Sequence, residues 1–291
     1  MSDSNDSIGA MCPPYEGPVW SPELLRGKRA LVTGGGTGLG RSIAQGLAEA
    51  GADLLLAARR IEVLDTAAEE IRASTGRQVE TRVVNIRERE AIEALGEEAQ
   101  QLGGVDILVN NAGGQFASPA KDFKPKGWQA VIDTNLTGTW NMTQVFGTAM
   151  LEGAGGSIVN VVALLGRGFP GIAHTSAARA GVLELSRTLA YEWGPKIRIN
   201  CVAPGPVGTP GFQDTYPKNV LKAMQDIPIP RPGSPIEIAN CAVFLASPAA
   251  SYVTGECFTV AGGQHIQGRN QVFARPKFGV VNVVEPDVDK L

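Results

Sequence analysis

The residues most able to do chemistry lie early in the chain, in the run T-G-G-G-T-G-L-G (residues 33–40). A short apolar stretch, Ala30, Leu31 and Val32, leads into it. Gly38, Leu39 and Gly40 then open an amphipathic segment in which Ile43 and Leu47 lie one helical turn apart. The order is strand, tight turn, helix. In that setting Gly34, Gly38 and Gly40 let main-chain N–H groups approach a pyrophosphate at the positive end of the helix. Thr37, inside the turn, can add a hydroxyl to the phosphate shell. A second apolar stretch, D-L-L-L-A-A, ends in Arg59-Arg60, at the position that faces the adenosine ribose in a dinucleotide fold. An acid there would accept from the 2′-OH of NAD. Two guanidiniums suit a 2′-phosphate instead, so the cofactor expected is NADP(H).

The elements that must position these residues alternate along the chain. Strands are expected over residues 53–58, 79–85, 107–110, 156–162, 197–202 and 257–261, after the first near residue 30. Helical patterns fall between them, over 61–75, 88–102, most of 123–152, 175–193 and 236–246. This predicts a single-domain α/β fold: a doubly wound, Rossmann-like parallel sheet of about seven strands with helices on both faces. Asn85 closes the third strand and Ile86 follows it, at the carboxyl edge of the sheet where a cofactor lies. Asn110, Asn111, Ala112 and Gly113 follow the fourth, small enough for the backbone to approach a ligand at the carboxyl edge. Pro204, Gly205 and Val207 follow the sixth. Residues 206–235 are rich in Pro and Gly around a short helix-like piece at 219–225, the make-up of an active-site lid.

Composition narrows the partners. A net charge of -3 argues against a nucleic-acid surface, and no apolar run reaches the ~20 residues of a membrane span. The first residues are polar and acidic with no secretory pattern, so a cytoplasmic protein is expected. Residues 1–26 read as an N-terminal arm, 27–263 as the folded domain and 264–291 as a tail that could cover a neighbouring subunit. Cys12, Cys201, Cys241 and Cys257 show no C-x-x-C spacing and, with two histidines, give no metal site. The terminal Asp289-Lys290-Leu291 lacks the small residue of a peroxisomal S-K-L address. The helices at 123–152 and 175–193 carry more small and apolar residues than one sheet face covers, so they are expected to pair across a two-fold interface.

Residues 33–40, 110–113, Asn135, and Pro204-Gly205 with Thr209 resemble, in order and spacing, motifs of the short-chain dehydrogenase/reductase superfamily. The likeness spans about residues 27–263 and implies a homotetramer. The catalytic motif departs from it. The superfamily pattern places a Ser after the fifth strand and then Tyr-x-x-x-Lys. Here those positions hold Ala163, Thr175 and Arg179. An aliphatic hydroxyl has no useful acidity near neutral pH, whereas a tyrosine near 10 can be lowered by a cation. Arg179 can grip the nicotinamide ribose and hold a positive charge, but it does not relay a proton.

A narrower resemblance, carried by N-N-A-G-G-Q-F-A-S-P, T-N-L-T-G-T-W, G-F-P and H-T-S-A-A-R-A-G-V, is to the peroxisomal trans-2-enoyl-CoA and 2,4-dienoyl-CoA reductases. It implies NADPH-dependent reduction of a carbon–carbon double bond conjugated to an acyl-CoA thioester, and a place in fatty-acid metabolism. An enolate forming at the thioester oxygen asks for a neutral donor more than a strong acid. Gln115 stands where the dienoyl reductases have an implicated Asn, and two roles are open to it: this donor, or an amide that folds its own loop. A tyrosine those enzymes use after the fifth strand falls on Leu164. His174 is open to two roles, proton donor or pocket-lining residue. Lys121, Lys124, Lys126 and Arg167 read mainly as solvated surface charges. Two other readings compete: a carbonyl reductase with an atypical acid, and an NADP-binding protein without turnover.

Overall fold

The computed structural model describes residues 19–164, 170–209 and 227–266. Seven parallel strands lie side by side in the order β3-β2-β1-β4-β5-β6-β7. They are β1 (Arg29–Thr33), β2 (Asp53–Ala58), β3 (Val79–Val83), β4 (Ile107–Asn110), β5 (Gly156–Val161), β6 (Ile197–Pro204) and β7 (Cys257–Val260). The connecting helices are α1 (Gly38–Glu49), α2 (Ile61–Thr75), α3 (Arg89–Gln101), α4 (Pro125–Ile132), α5 (Gly138–Glu152), α6 (Ala173–Trp193) and α7 (Pro235–Ala246). This is the expected doubly wound sheet.

Both faces of the sheet are covered, which is why its strands are apolar along their length rather than alternating. Successive residues still part to opposite sides. Ala30, Val32, Leu54, Leu56 and Val109 join the core beneath α1, α2 and α7. Leu31, Leu55, Ala57 and Leu108 join the other, beneath α3, α5 and α6. Gly46 of α1 lets α7 come close, since a Cβ there would touch Val243 and Ala239.

Several boundaries differ from the sequence expectation. β3 stops at Val83, because the Asn85 side chain turns the chain by accepting from Arg87 N–H at 3.2 Å. β6 runs on to Pro204, paired with β7 through Val260. The helical stretch 123–152 is three pieces, α4, a π-helical turn at Asp133–Thr137 and α5. The last residues assigned to the arm belong to the domain: Leu25 is buried and its N–H donates to Ala50 O at 2.7 Å. The lid expectation falls mostly on residues 210–226, including the helix-like piece, which lie outside the described residues. On either side of them, Val207 and Gly233 form an isolated parallel bridge.

Candidate active site

The strand order reverses between β1 and β4, and the loops that leave their carboxyl ends part to leave a crevice, the place where open α/β sheets bind ligands. The crevice has a volume of about 1060 Å³. Its walls include Gly34, Thr37, Gly38, Leu39 and Gly40 from the glycine turn, Arg59 and Arg60 after β2, and Asn85 and Ile86 after β3. Asn111, Ala112 and Gly113 after β4, and Gly205 and Val207 after β6, also line it. Pro204 supports this edge from the end of β6 without lining it.

The glycine turn is built for close approach. Gly34 and Gly38 hold φ of 68° and 52°, in the left-handed region that side chains avoid. A Cβ on Gly40 would overlap Gly34 O and the Asn111 amide. The α1 N-terminus carries no acid in its first turn, and the Thr37 side chain makes no capping bond. Its main-chain donors and dipole are therefore left for an anion.

Thr33 ties this turn to the next loop. Its hydroxyl donates to Val109 O at 3.2 Å and accepts from the N–H groups of Asn111 and Ala112, each at 3.0 Å. Asn111 Nδ2 donates back to Thr33 O at 2.9 Å. The sequence reading gave Thr33 no role of its own. The signal available to it was a hydroxyl residue closing an apolar strand opposite a loop rich in amides.

Arg179 of α6 lies behind the crevice-lining Gly113, and neither it nor Thr175 is among the residues that line the crevice. Thr175 and Arg179 are one helical turn apart and both are buried. The Arg179 guanidinium lies so close under Gly113 that a Cβ there would overlap Nη2, and it would also meet Asn135 Oδ1. Burial pushes the Arg179 guanidinium down from its ordinary value to about 10, opposed by Cys201, so it remains a cation at neutral pH. Its Nη1 and the Thr175 hydroxyl are buried without a hydrogen-bond partner. Orphaned polar atoms of this kind call for a ligand group.

Asn135 is held in the π-helical turn, a local irregularity often found at functional sites. Its Oδ1 accepts from Gly114 N–H at 3.0 Å and its Nδ2 donates to Gly114 O at 2.9 Å. Both polar atoms of the amide engage the main chain of Gly114, so Asn135 fixes the loop after β4. Gln115 follows directly. It is exposed, makes no hydrogen bond to another described residue, and stands beside the crevice between the lining residues Gly114 and Phe116. The Asn85 amide is engaged locally, donating to Glu88 at 2.6 Å.

His174 is buried, between the rings of Phe116 and Phe123 at 4.7 and 4.5 Å. Its Nδ1 accepts from Thr175 N–H at 2.7 Å, and Nε2 has no partner. Burial lowers its pKa below 6.5, opposed by the nearby main-chain oxygens of Ile172 and Phe116. Arg167 and Gly168 lie outside the described residues; Lys121, Lys124 and Lys126 are exposed. Among the described residues no group of His, Cys, Asp and Glu could hold a metal ion, and no helix is long and apolar enough to cross a membrane.

The protein family described as Enoyl-(Acyl carrier protein) reductase matches residues 34–265. A solved short-chain dehydrogenase/reductase family protein is 35% identical, with a TM-score of 0.76 over 84% of this chain and 100% of its own. The chain is a member of the short-chain dehydrogenase/reductase family. This member is 38% identical over 260 residues to a peroxisomal 2,4-dienoyl-CoA reductase of Danio rerio, covering 87% of each chain. It is 37% identical over 246 residues to a 3-oxoacyl-(acyl-carrier-protein) reductase of Chlamydia muridarum, over 82% of this chain and 98% of the relative. A Beutenbergia cavernae protein assigned as an NAD(P)-dependent gluconate 5-dehydrogenase, solved with NADP bound at low occupancy, is 37% identical with a TM-score of 0.78. That likeness covers 84% of this chain and 100% of the solved one.

A nicotinamide dinucleotide fits the residues present. The uncapped α1 N-terminus and glycine turn suit the pyrophosphate, and the orphaned Arg179 and Thr175 suit the nicotinamide ribose. The chain thus belongs to a family of nicotinamide-dependent oxidoreductases.

Proposed function

We propose that the chain reduces the carbon–carbon double bond of a trans-2-enoyl-CoA or 2,4-dienoyl-CoA thioester with NADPH. The observation that carries this reading is the buried pair Thr175 and Arg179, which holds a hydroxyl and a fixed cation but no acid suited to a carbonyl oxygen. The dienoyl-CoA reductase relatives support the substrate class. Arg59 and Arg60, both exposed at the ribose end, support NADPH over NADH.

When bound, NADPH supplies a hydride. The chain's own residues do the rest. Arg179 holds the nicotinamide ribose and keeps a positive charge in a site of low dielectric, where it acts more strongly than in water. Thr175 orients the same hydroxyls. Asn135 fixes Gly114, and through it the loop that carries Gln115. The Gln115 amide then donates to the thioester oxygen as negative charge collects there. Water protonates Cα.

The relative named as a 3-oxoacyl reductase favours a second reading, ketone reduction with His174 as acid. A buried imidazole with a lowered pKa, accepting at Nδ1, is neutral at pH 7 and a poor acid. NADPH oxidation measured with crotonyl-CoA, 2,4-hexadienoyl-CoA and acetoacetyl-CoA separates the readings. Turnover of either unsaturated thioester, with acetoacetyl-CoA at least tenfold slower, is expected. Turnover of acetoacetyl-CoA alone overturns the proposal. Tight NADPH binding with no turnover of any of the three would leave only a cofactor-binding role.

A further inference from the structure

The loop after β4 ends in aromatic residues whose role the reduction chemistry does not use. Phe116 follows Gln115, lines the nicotinamide end of the crevice, and leaves 44% of its surface exposed. The ring thus offers an apolar face at the mouth of the crevice.

Its conformation is fixed from behind. The Phe116 ring meets His174 edge-on at 4.7 Å and 82°, and meets Phe123 at 5.7 Å and 62°. Gly127 has no side chain because the Phe116 ring occupies its place: a Cβ there would come within 2.9 Å of the ring. Phe123 in turn meets Trp128 at 6.4 Å, and Trp128 is 38% exposed. Two residues on, Ser118 N–H donates to Gly171 O at 2.8 Å, tying the loop to the chain just before α6. The result is an aromatic cluster that starts at the crevice with Phe116 and runs through Phe123 to Trp128. His174, neutral and buried, is its backing.

We propose that Phe116, held by His174 and Phe123, is the acyl-facing wall of the substrate site and sets the preference for longer acyl chains. The proposal rests on the thioester reading above, and adds which part of the ligand this surface takes. The Gln115 amide addresses the thioester oxygen, and the chain beyond Cβ continues past the next residue, onto the ring. A ring face of this kind shields a few methylenes from water, each adding severalfold to affinity.

The test uses the unaltered protein, Phe116→Ala and Phe116→Leu, with NADP+ present. Binding of butyryl-CoA and decanoyl-CoA, saturated thioesters that need no turnover, is measured by calorimetry, and reduction of crotonyl-CoA and trans-2-decenoyl-CoA by NADPH oxidation. Because the ring is exposed on one side, both variants should fold, and an unchanged circular dichroism spectrum and melting curve check this. In the unaltered chain decanoyl-CoA should bind more tightly than butyryl-CoA. Phe116→Ala should cut that preference about five- to tenfold while leaving butyryl-CoA within about twofold, and Phe116→Leu should restore most of it. An equal loss for both thioesters, or none for either, overturns the wall. A chain-length effect in binding without reduction of either unsaturated thioester would keep the wall and remove the proposed reduction. Binding of neither saturated thioester by the unaltered chain would remove both.

Discussion

Arg179 carries a charge where almost no water reaches it, and that sets two opposed expectations. Its folded pKa, about 10, lies below the ordinary guanidinium value, so the folded chain sheds this proton more readily than the unfolded one. The burial penalty is therefore present at every pH below about 10 and is relieved only as pH rises from there toward the ordinary value. Arg179→Met, close in volume and uncharged, should raise the Tm of the cofactor-free protein, by about 2–4 °C for each kcal/mol relieved. The same variant should weaken NADPH binding by about tenfold or more, the scale of a lost charged hydrogen bond. Thermal melts without cofactor and a fluorescence titration with it check both halves. A fall in Tm would show that the charge has a partner that matters more than its desolvation. Gln115 is the other residue with a stated role. Gln115→Ala should lower kcat with crotonyl-CoA by on the order of tenfold to a hundredfold and leave NADPH affinity alone. An unchanged kcat would end its role as the oxyanion donor.

Among the elements, α7 shows how one capping arrangement holds the edge of the lid region. Ser234 and Glu237 form a reciprocal capping box, and Ser234 N–H donates to Glu237 at 2.8 Å. Arg231 grips the same carboxylate with two bonds of 2.8 Å. The Arg231 bond lowers the Glu237 pKa below its ordinary 4.5, with partial burial opposing it. A depressed acid contributes stability that is fully present above 4.5 and is lost as pH falls through its folded value. Glu237→Gln should cost about 1 kcal/mol at pH 7, and the gap from the unaltered chain should close as pH drops below the ordinary carboxylate range. Urea unfolding at pH 7 and near pH 3.5 measures it. A gap equally large at both pH values would mean that packing, not charge, is what the carboxylate supplies.

Across the molecule, cofactor choice and assembly are linked to the two ends of the sheet. Arg59 and Arg60 form no ion pair with another described residue, while nearby Arg41 is paired with Glu70. NADPH should therefore bind at least tenfold more tightly than NADH, and Arg59→Asp should erase or reverse that preference. Equal affinities in the unaltered protein would refute it. At the outer faces Trp140 of α5 and Tyr191 of α6 are left exposed, the second at 92%. We expect these helices to pair across a two-fold axis in a tetramer, to be read by light scattering at micromolar concentration. A monomeric mass would overturn that expectation.

Strand count, the layered arrangement and the cofactor turn could be read from the chain because each rests on local pattern. Apolar runs of five or six residues, a helical period and glycines at one junction are encoded within about thirty residues. So were the lining positions Thr37, Arg59, Ile86 and Gly113, since a doubly wound sheet brings the ends of its strands to one edge. What only the tertiary structure decided depends on pairs far apart in sequence. Thr33 became a tie because β4 pairs with β1, placing Asn111 and Ala112 against its hydroxyl. Asn135, a motif residue in the sequence, acquired its bonds to Gly114 because a π-helical turn aims its amide there. The partition of Leu54 and Leu55 to opposite cores follows from which helices cover each face, and a run of leucines is silent on that. His174 acquired its aromatic neighbours only when the loop after β4 met the start of α6. Local pattern sets what a segment is; the neighbours that give a side chain its charge state, its partners and its role arrive only with the long-range packing.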